Sequence, residues 1–126
     1  MKEIILTSKA PAPIGPYSQA VKAGGFLYVS GQIAINPDTG EYIPAPVATE
    51  TALVMKNLQA ILEAAGLSFS HVVKTTIFLS DMNDFPVVNS EYGKAFPSLP
   101  PARETVEVSK LPKGVKVEIS CIALAE

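Results

Sequence analysis

The spacing of apolar and polar positions divides the chain into elements. Ile4-Ile5-Leu6, within Lys2–Thr7, predicts a short first strand at a sheet edge. Ala10–Gln19 has no period. Three prolines and Gly15 rule out a regular element and predict a stiff loop that delivers Tyr17, either to a site or as a surface strap. Ala20–Lys22 and Phe26–Ser30 are apolar runs separated by Gly24-Gly25, a hairpin signal. The second run is interrupted at Ser30-Gly31-Gln32 and resumes as Ile33-Ala34-Ile35. Gly31 therefore marks a bulge or a close approach of backbone to a ligand.

After the turn residues Asn36–Gly40 and the prolines at 44 and 46, the period changes to that of a helix. Val47, Thr51, Val54, Leu58, Ile61, Leu62 and Ala65 share one face; Glu50, Lys56, Gln59 and Glu63 fall largely elsewhere, and Gly66 marks the end. His71–Ser80 alternates like a central strand rich in β-branched residues, with His71 a partly exposed residue at its entrance. Asp81–Asp84 supplies an N-cap and Pro86 a first turn for a second helix, whose apolar face is Phe85, Val88, Tyr92 and Phe96. Asn89 and Glu91 are its polar members. Phe96–Pro101 breaks that helix, and two strands follow, Ala102–Ser109 and Val115–Leu124.

The order β-β-β-α-β-α-β-β predicts a single α+β domain over residues 1–126, with both helices on one sheet face. The other face carries Thr76 and Phe78, plus either the Arg103/Thr105/Glu107 set or the Glu104/Val106/Val108 set. A half-apolar face of this kind predicts a second subunit covering it.

Composition narrows the chemistry. Of 126 residues 48% are hydrophobic and only 17% charged, which favours a buried subunit interface. The net charge of -2, with ten scattered basic residues, argues against nucleic acid as a partner. No apolar stretch is long enough for a membrane span and no signal peptide is evident, so the expected location is the cytoplasm. One cysteine (Cys121, on the apolar stripe of the last strand) and one histidine cannot build a typical zinc site, and no nucleophile motif accompanies His71.

What remains is Arg103, directly after Pro100-Pro101-Ala102, and Glu118, among Val115, Val117 and Ile119. A guanidinium can clamp a carboxylate bidentately, and a carboxylate can handle the protons of a water. The same two residues also fit an ordinary cross-strand ion pair. A tight hairpin through 110–114 places Glu118 opposite Val106, on the face away from Arg103; a bulge or another register reverses this, and a site built across subunits avoids it.

At these residues the chain resembles the RidA family of reactive-intermediate imine/enamine deaminases, also called YjgF-like proteins. The likeness runs through Ile14–Tyr17, Ser30–Ile33, Asn36–Gly40, Glu63–Leu67, Val73–Thr76, Asp84–Asn89, Pro101–Arg103, Leu111–Lys113 and Val117–Ile119. It implies a chorismate-mutase-like fold and a homotrimer whose sheets form a central barrel, with sites in the clefts between subunits. It also implies cofactor-free, metal-free hydrolysis of 2-imino acids or enamines, such as 2-iminobutanoate and 2-iminopropanoate, to 2-keto acids and ammonia. Carried over by position, Arg103 holds the substrate carboxylate, Glu118 serves the water, and Tyr17 joins them in the catalytic set. Ser30, Gly31, Asn89 and Thr105 contact substrate. The best-known members carry cysteine where this chain has Thr105, and usually serine where it has Glu104. A thiol nucleophile is therefore excluded, while backbone contacts from position 105 survive. The alternatives are an endoribonuclease, from family labels, and a non-catalytic small-acid sensor on the same scaffold.

Overall fold

The computed structural model describes residues 1–126. Eight main elements appear in the predicted order: β1 (Glu3–Ile5), β2 (Ala20–Ala23), β3 (Phe26–Gln32), α1 (Val47–Ala64), β4 (Val72–Leu79), α2 (Phe85–Gly93), β5 (Ala102–Glu107) and β6 (Val117–Leu124). Six strands form one sheet in the order β1-β2-β3-β6-β4-β5; β4 and β5 run parallel and the other neighbours antiparallel. No helix is long and apolar enough to cross a membrane.

The hairpin between β2 and β3 closes through Gly24 and Gly25 alone, both at positive φ (59° and 83°). A two-residue turn matched to strand twist requires that backbone, and glycine adopts it without a Cβ clash. The apolar stripe of α1 lies on the sheet: Val54, Leu58, Ile61 and Leu62 are at most 1% exposed. Each contributes about 1.5–3 kcal/mol of hydrophobic stabilisation. They meet Ile77, Leu79, Val117, Ile119 and Ala123, the inward positions of β4 and β6, in a single core. Cys121 belongs to this stripe, and burial pushes its thiol up to about 12. Val88 and Tyr92 of α2 are also buried; Phe96 packs on Tyr92 from beyond the helix end, their ring centroids 4.9 Å apart.

Several sequence expectations need correction. Ile33–Ile35 does not resume the strand. Ile35 makes a single bridge to Tyr42, and the buried Asn57 amide donates to the carbonyls of Ile33 (3.2 Å) and Ile35 (3.0 Å). The two last strands are shorter than expected: β5 ends at Glu107, and β6 starts only at Val117, after a 3-10 turn over Pro112–Gly114. Nor do β5 and β6 form a hairpin: β4 lies between them. The expected row of Glu118 with Val106 nevertheless exists, since Phe78 pairs with both.

Glu50 does not lie on a solvated face. It is 1% exposed, and its carboxylate accepts from the Tyr42 hydroxyl (2.7 Å), the Lys116 ammonium (3.0 Å) and the backbone N–H groups of Ala45 and Lys116. This ties the 41–46 segment and the first turn of α1 to the entry of β6. Burial works to raise the Glu50 pKa, but the hydrogen bonds outweigh it and hold the carboxyl below its ordinary 4.5; burial, then Glu50, pushes Tyr42 up to about 12. Glu50→Ala removes one partner of a buried pair, and Lys116 is partly exposed, so a loss of about 3 kcal/mol is expected in chemical denaturation. Because the folded-state pKa is depressed, this stabilisation is present above 4.5 and is lost as pH falls through the folded value. Urea midpoints of wild type and Glu50→Ala are expected to converge in acid.

Candidate functional site

Glu118 points to the sheet face opposite the helices, in one row with Phe78 and Val106. Beside it β3 bulges: Val29 pairs with Cys121 and Gln32 with Ile119, so one extra residue is fitted between them. Gly31 in that bulge lies against the Glu118 side chain. A Cβ there would stand 2.5 Å from Oε2 and 2.8 Å from Cδ. The bulge reading of Gly31 holds, and the close approach there is to the Glu118 side chain.

Glu118 and Gly31 share a pocket of about 450 Å³ with Tyr17, Ser30, Gln19 and Lys113. The strap carrying Tyr17 is pinned by Gln19, which is 1% exposed. Its side-chain oxygen accepts from the Thr7 N–H (2.7 Å), and its amide nitrogen donates to the carbonyls of Thr7, Ala10 and Pro11. The Ser30 hydroxyl donates to the Ser18 carbonyl at 2.6 Å, so its proton latches the strap and only its lone pairs are free. Tyr17 remains half exposed, its oxygen accepting weakly from the Ile14 N–H (3.4 Å).

The Glu118 carboxylate makes no hydrogen bond or ion pair within the chain, and burial pushes its pKa above 4.5. A desolvated carboxylate without a counter-charge is suited to taking up and returning protons. Gly31→Ala is expected to displace it, lowering any Glu118-dependent activity at least about tenfold, with little change in melting temperature because Gly31 is not at positive φ. Parallel rate and melting measurements check this.

Arg103 lies on the opposite face. Thr75 pairs with both Arg103 and Cys121, and Cys121 is on the helix side, so the Glu104/Val106 set faces away from the helices and the Arg103/Thr105 set towards them. The guanidinium donates from Nη1 to Asn89 Oδ1 at 2.7 Å and sits over the rings of Phe85 (5.4 Å) and Tyr92 (5.1 Å). The Tyr92 hydroxyl is in turn held by Thr75 Oγ1 at 2.7 Å. No carboxylate pairs with Arg103. Glu104 is engaged by Lys74 (3.2 Å) and Thr76 (3.0 Å), and Glu107 accepts from the Met82 N–H. Thr105 stands two residues along, its buried hydroxyl without a partner.

The cross-strand Arg103–Glu118 pair therefore does not form. Tyr17, Ser30, Gly31 and Glu118 come together at one place; Arg103, Asn89 and Thr105 come together at another, across the sheet. Asn89 stays exposed on its helix but is engaged by Arg103, whereas Glu91, partly buried, pairs only with Lys94, at 2.9 Å. Gln19, Phe85 and Tyr92 were not among the expected site residues. The two rings read as core positions of an amphipathic helix, which they also are. His71 caps its own turn by accepting from the Ser68 N–H, and no three His, Cys, Asp or Glu side chains cluster as metal ligands would.

Two helices on one face of a six-stranded mixed sheet, with polar clusters on both faces, define a chorismate-mutase-like α+β protein. The Endoribonuclease L-PSP family model matches residues 7–125, and the chain belongs to this family, that of the RidA/YjgF proteins. It is 53% identical to a RutC family protein of Pyrococcus horikoshii over the whole of both chains. It is 48% identical to the 2-iminobutanoate/2-iminopropanoate deaminase of Mus musculus, covering 98% of this chain and 92% of that one. The structure of E. coli TdcF with bound serine superposes with a TM-score of 0.92 at 43% identity, covering 98% of this chain and 99% of that one.

Proposed function

We propose that this protein hydrolyses 2-imino acids to 2-keto acids and ammonia, as a cytoplasmic homotrimer whose sites lie between subunits. The observation that carries the reading is that Arg103 and Glu118 are both left without a counter-charge, on opposite faces of one sheet. One chain cannot use them together, but two neighbouring copies can. The exposed apolar side chains on the face away from the helices, Tyr28, Val106 and Leu124 among them, supply the surface for such an association. The mouse relative's name and the serine bound to TdcF point to small amino-acid-derived ligands.

In this reading Arg103, oriented by Asn89 and the two rings, takes the substrate carboxylate with parallel hydrogen bonds. The imine carbon of the opposite subunit's pocket then lies beside Glu118 and Tyr17. A protonated imine is already electrophilic, so orientation of a water supplies most of what is needed. Glu118 accepts a proton from the water as its oxygen bonds to the imine carbon, giving a carbon that bears both hydroxyl and amino groups. The proton passes to the nitrogen, the C–N bond breaks with its electron pair leaving on ammonia, and the hydroxyl proton returns to Glu118 as the ketone forms. Tyr17 offers a hydroxyl at the developing polar centre. Position 105 contributes its backbone and a spare hydroxyl, with no covalent step.

RNA cleavage, which the family model's description names, fits less well: the chain is acidic overall and the Glu118 pocket has one cationic residue, Lys113. The test is to generate 2-iminobutanoate in situ with a dehydratase or an amino-acid oxidase and follow its decay. Faster decay with this protein is expected; unchanged decay refutes the reading. Gel filtration is expected to give three times the 13.3 kDa chain mass.

A further inference from the structure

We propose that Lys113 binds a second anionic group of the ligand, so that the Glu118 pocket favours 2-imino acids with an acidic side chain. The imine chemistry in this statement rests on the deaminase reading, but the binding preference stands apart from it.

Among the residues lining the pocket Lys113 is the only cation and Glu118 the only anion. They do not neutralise each other. Glu118 is turned against the backbone of Gly31, and Lys113 makes neither ion pair nor hydrogen bond, the ion-paired lysines being Lys74, Lys94 and Lys116. The lysine is also set on a fixed platform. Its backbone is left-handed (φ 58°, ψ 13°), a conformation in which a Cβ is strained and for which glycine or asparagine is the easier residue. The turn is closed by hydrogen bonds from the Gly114 N–H to the Leu111 carbonyl (3.1 Å) and from the Val115 N–H to the Pro112 carbonyl (3.2 Å). Val115, fully buried, anchors its far end. A strained residue held firmly at the wall of a pocket points to a role for its side chain.

Size agrees with charge. In the single chain the pocket of about 450 Å³ is larger than a four-carbon imino acid requires. With its α-carboxylate on the neighbour's Arg103 and its imine carbon at Glu118, a longer substrate extends into space whose only positive group is Lys113. A side-chain carboxylate or another acidic terminus would meet a charge-assisted hydrogen bond there, whereas an alkyl side chain would leave the ammonium unmatched.

The test compares binding of two stable keto acids, 2-oxoglutarate and 2-oxobutanoate, to the intact oligomer by titration calorimetry. Wild type is expected to bind the dicarboxylate more tightly. In Lys113→Met the ratio of the two dissociation constants is expected to shift about tenfold towards 2-oxobutanoate. Lys113→Glu is expected to shift it further, and Lys113→Arg to keep it. Should Lys113→Met fold poorly, Lys113→Gly relieves the left-handed backbone and carries the same comparison. The ratio of kcat/KM for the corresponding imines is expected to move in parallel. A wild type without preference for the dicarboxylate overturns the proposal, as does a ratio unchanged in both Met and Glu variants. The latter would mean that Lys113 holds nothing, or holds the α-carboxylate common to both acids. If neither imine is hydrolysed but the binding ratio shifts as stated, the deaminase reading fails and the Lys113 site stands.

Discussion

Arg103→Ala is expected to lose about 10²–10³-fold in kcat/KM for 2-iminobutanoate while remaining folded. Removing one member of a hydrogen-bonded charge pair in a desolvated site costs roughly 2–5 kcal/mol, and each 1.36 kcal/mol is about tenfold in rate. The fold loses only a solvent-exposed hydrogen bond to Asn89 and two cation–π contacts, about 1 kcal/mol together. Arg103→Lys is expected to rescue little, because an ammonium cannot present two parallel donors while resting against the Phe85 and Tyr92 rings. Decay of imine generated in situ, with circular dichroism as the check on folding, separates a lost clamp from a lost fold. A small-acid sensor on this scaffold would also need Arg103, so a second variant is required to distinguish catalysis from binding.

Glu118→Gln is that variant. Loss of a positioned general base lowers turnover by about 10²–10⁴-fold, whereas a sensor would tolerate the change. Two further readouts follow from the burial of Glu118. Its pKa lies above 4.5, so the acid limb of the wild-type rate profile is expected above the ordinary carboxylate range and absent from the residual activity of the variant. The sign for stability is opposite to that of Glu50. A raised folded-state pKa means the folded form holds its proton longer; that contribution is full below 4.5 and is lost as pH rises through the folded value. At neutral pH the ionised carboxylate is a cost to the fold, so Glu118→Gln is expected to be as stable as wild type or more so while losing activity. A variant that lost both together would indicate a structural role.

The elements were legible because their burial is periodic. Val54, Leu58, Ile61 and Leu62 recur at helical spacing since they face one sheet, and Ile77 and Leu79 alternate since β4 has one face in the core. Gly24-Gly25 and Gly31 were legible because backbone geometry leaves few other residues there. Sheet order was not, because the insertion of β6 between β3 and β4 is decided by pairings between residues far apart in the chain. The hairpin between β5 and β6 that local spacing allows is excluded only by this long-range order. The burial of Glu50 is illegible for a related reason: its partner Lys116 lies 66 residues away, and no local pattern shows that a carboxylate near a helix start will be fully enclosed. For the candidate site, the residue types came from chemistry and from the family resemblance, while their division into two groups came from register. Thr75 fixes the face of Arg103, and Phe78 fixes that of Glu118.

That division makes subunit mixing the most direct measurement. Arg103→Ala keeps Glu118, and Glu118→Gln keeps Arg103, so a site joining the two residues from neighbouring copies can be rebuilt wherever the right subunits adjoin. In randomly assembled trimers from equal amounts of the two variants, about a quarter of the sites pair an intact Glu118 with an intact Arg103. Co-expressed variants are therefore expected to recover about a quarter of wild-type imine hydrolysis, although each alone is nearly inactive. Recovery no greater than the sum of the separate variants, in oligomers shown to contain both chains, would contradict a site shared between subunits.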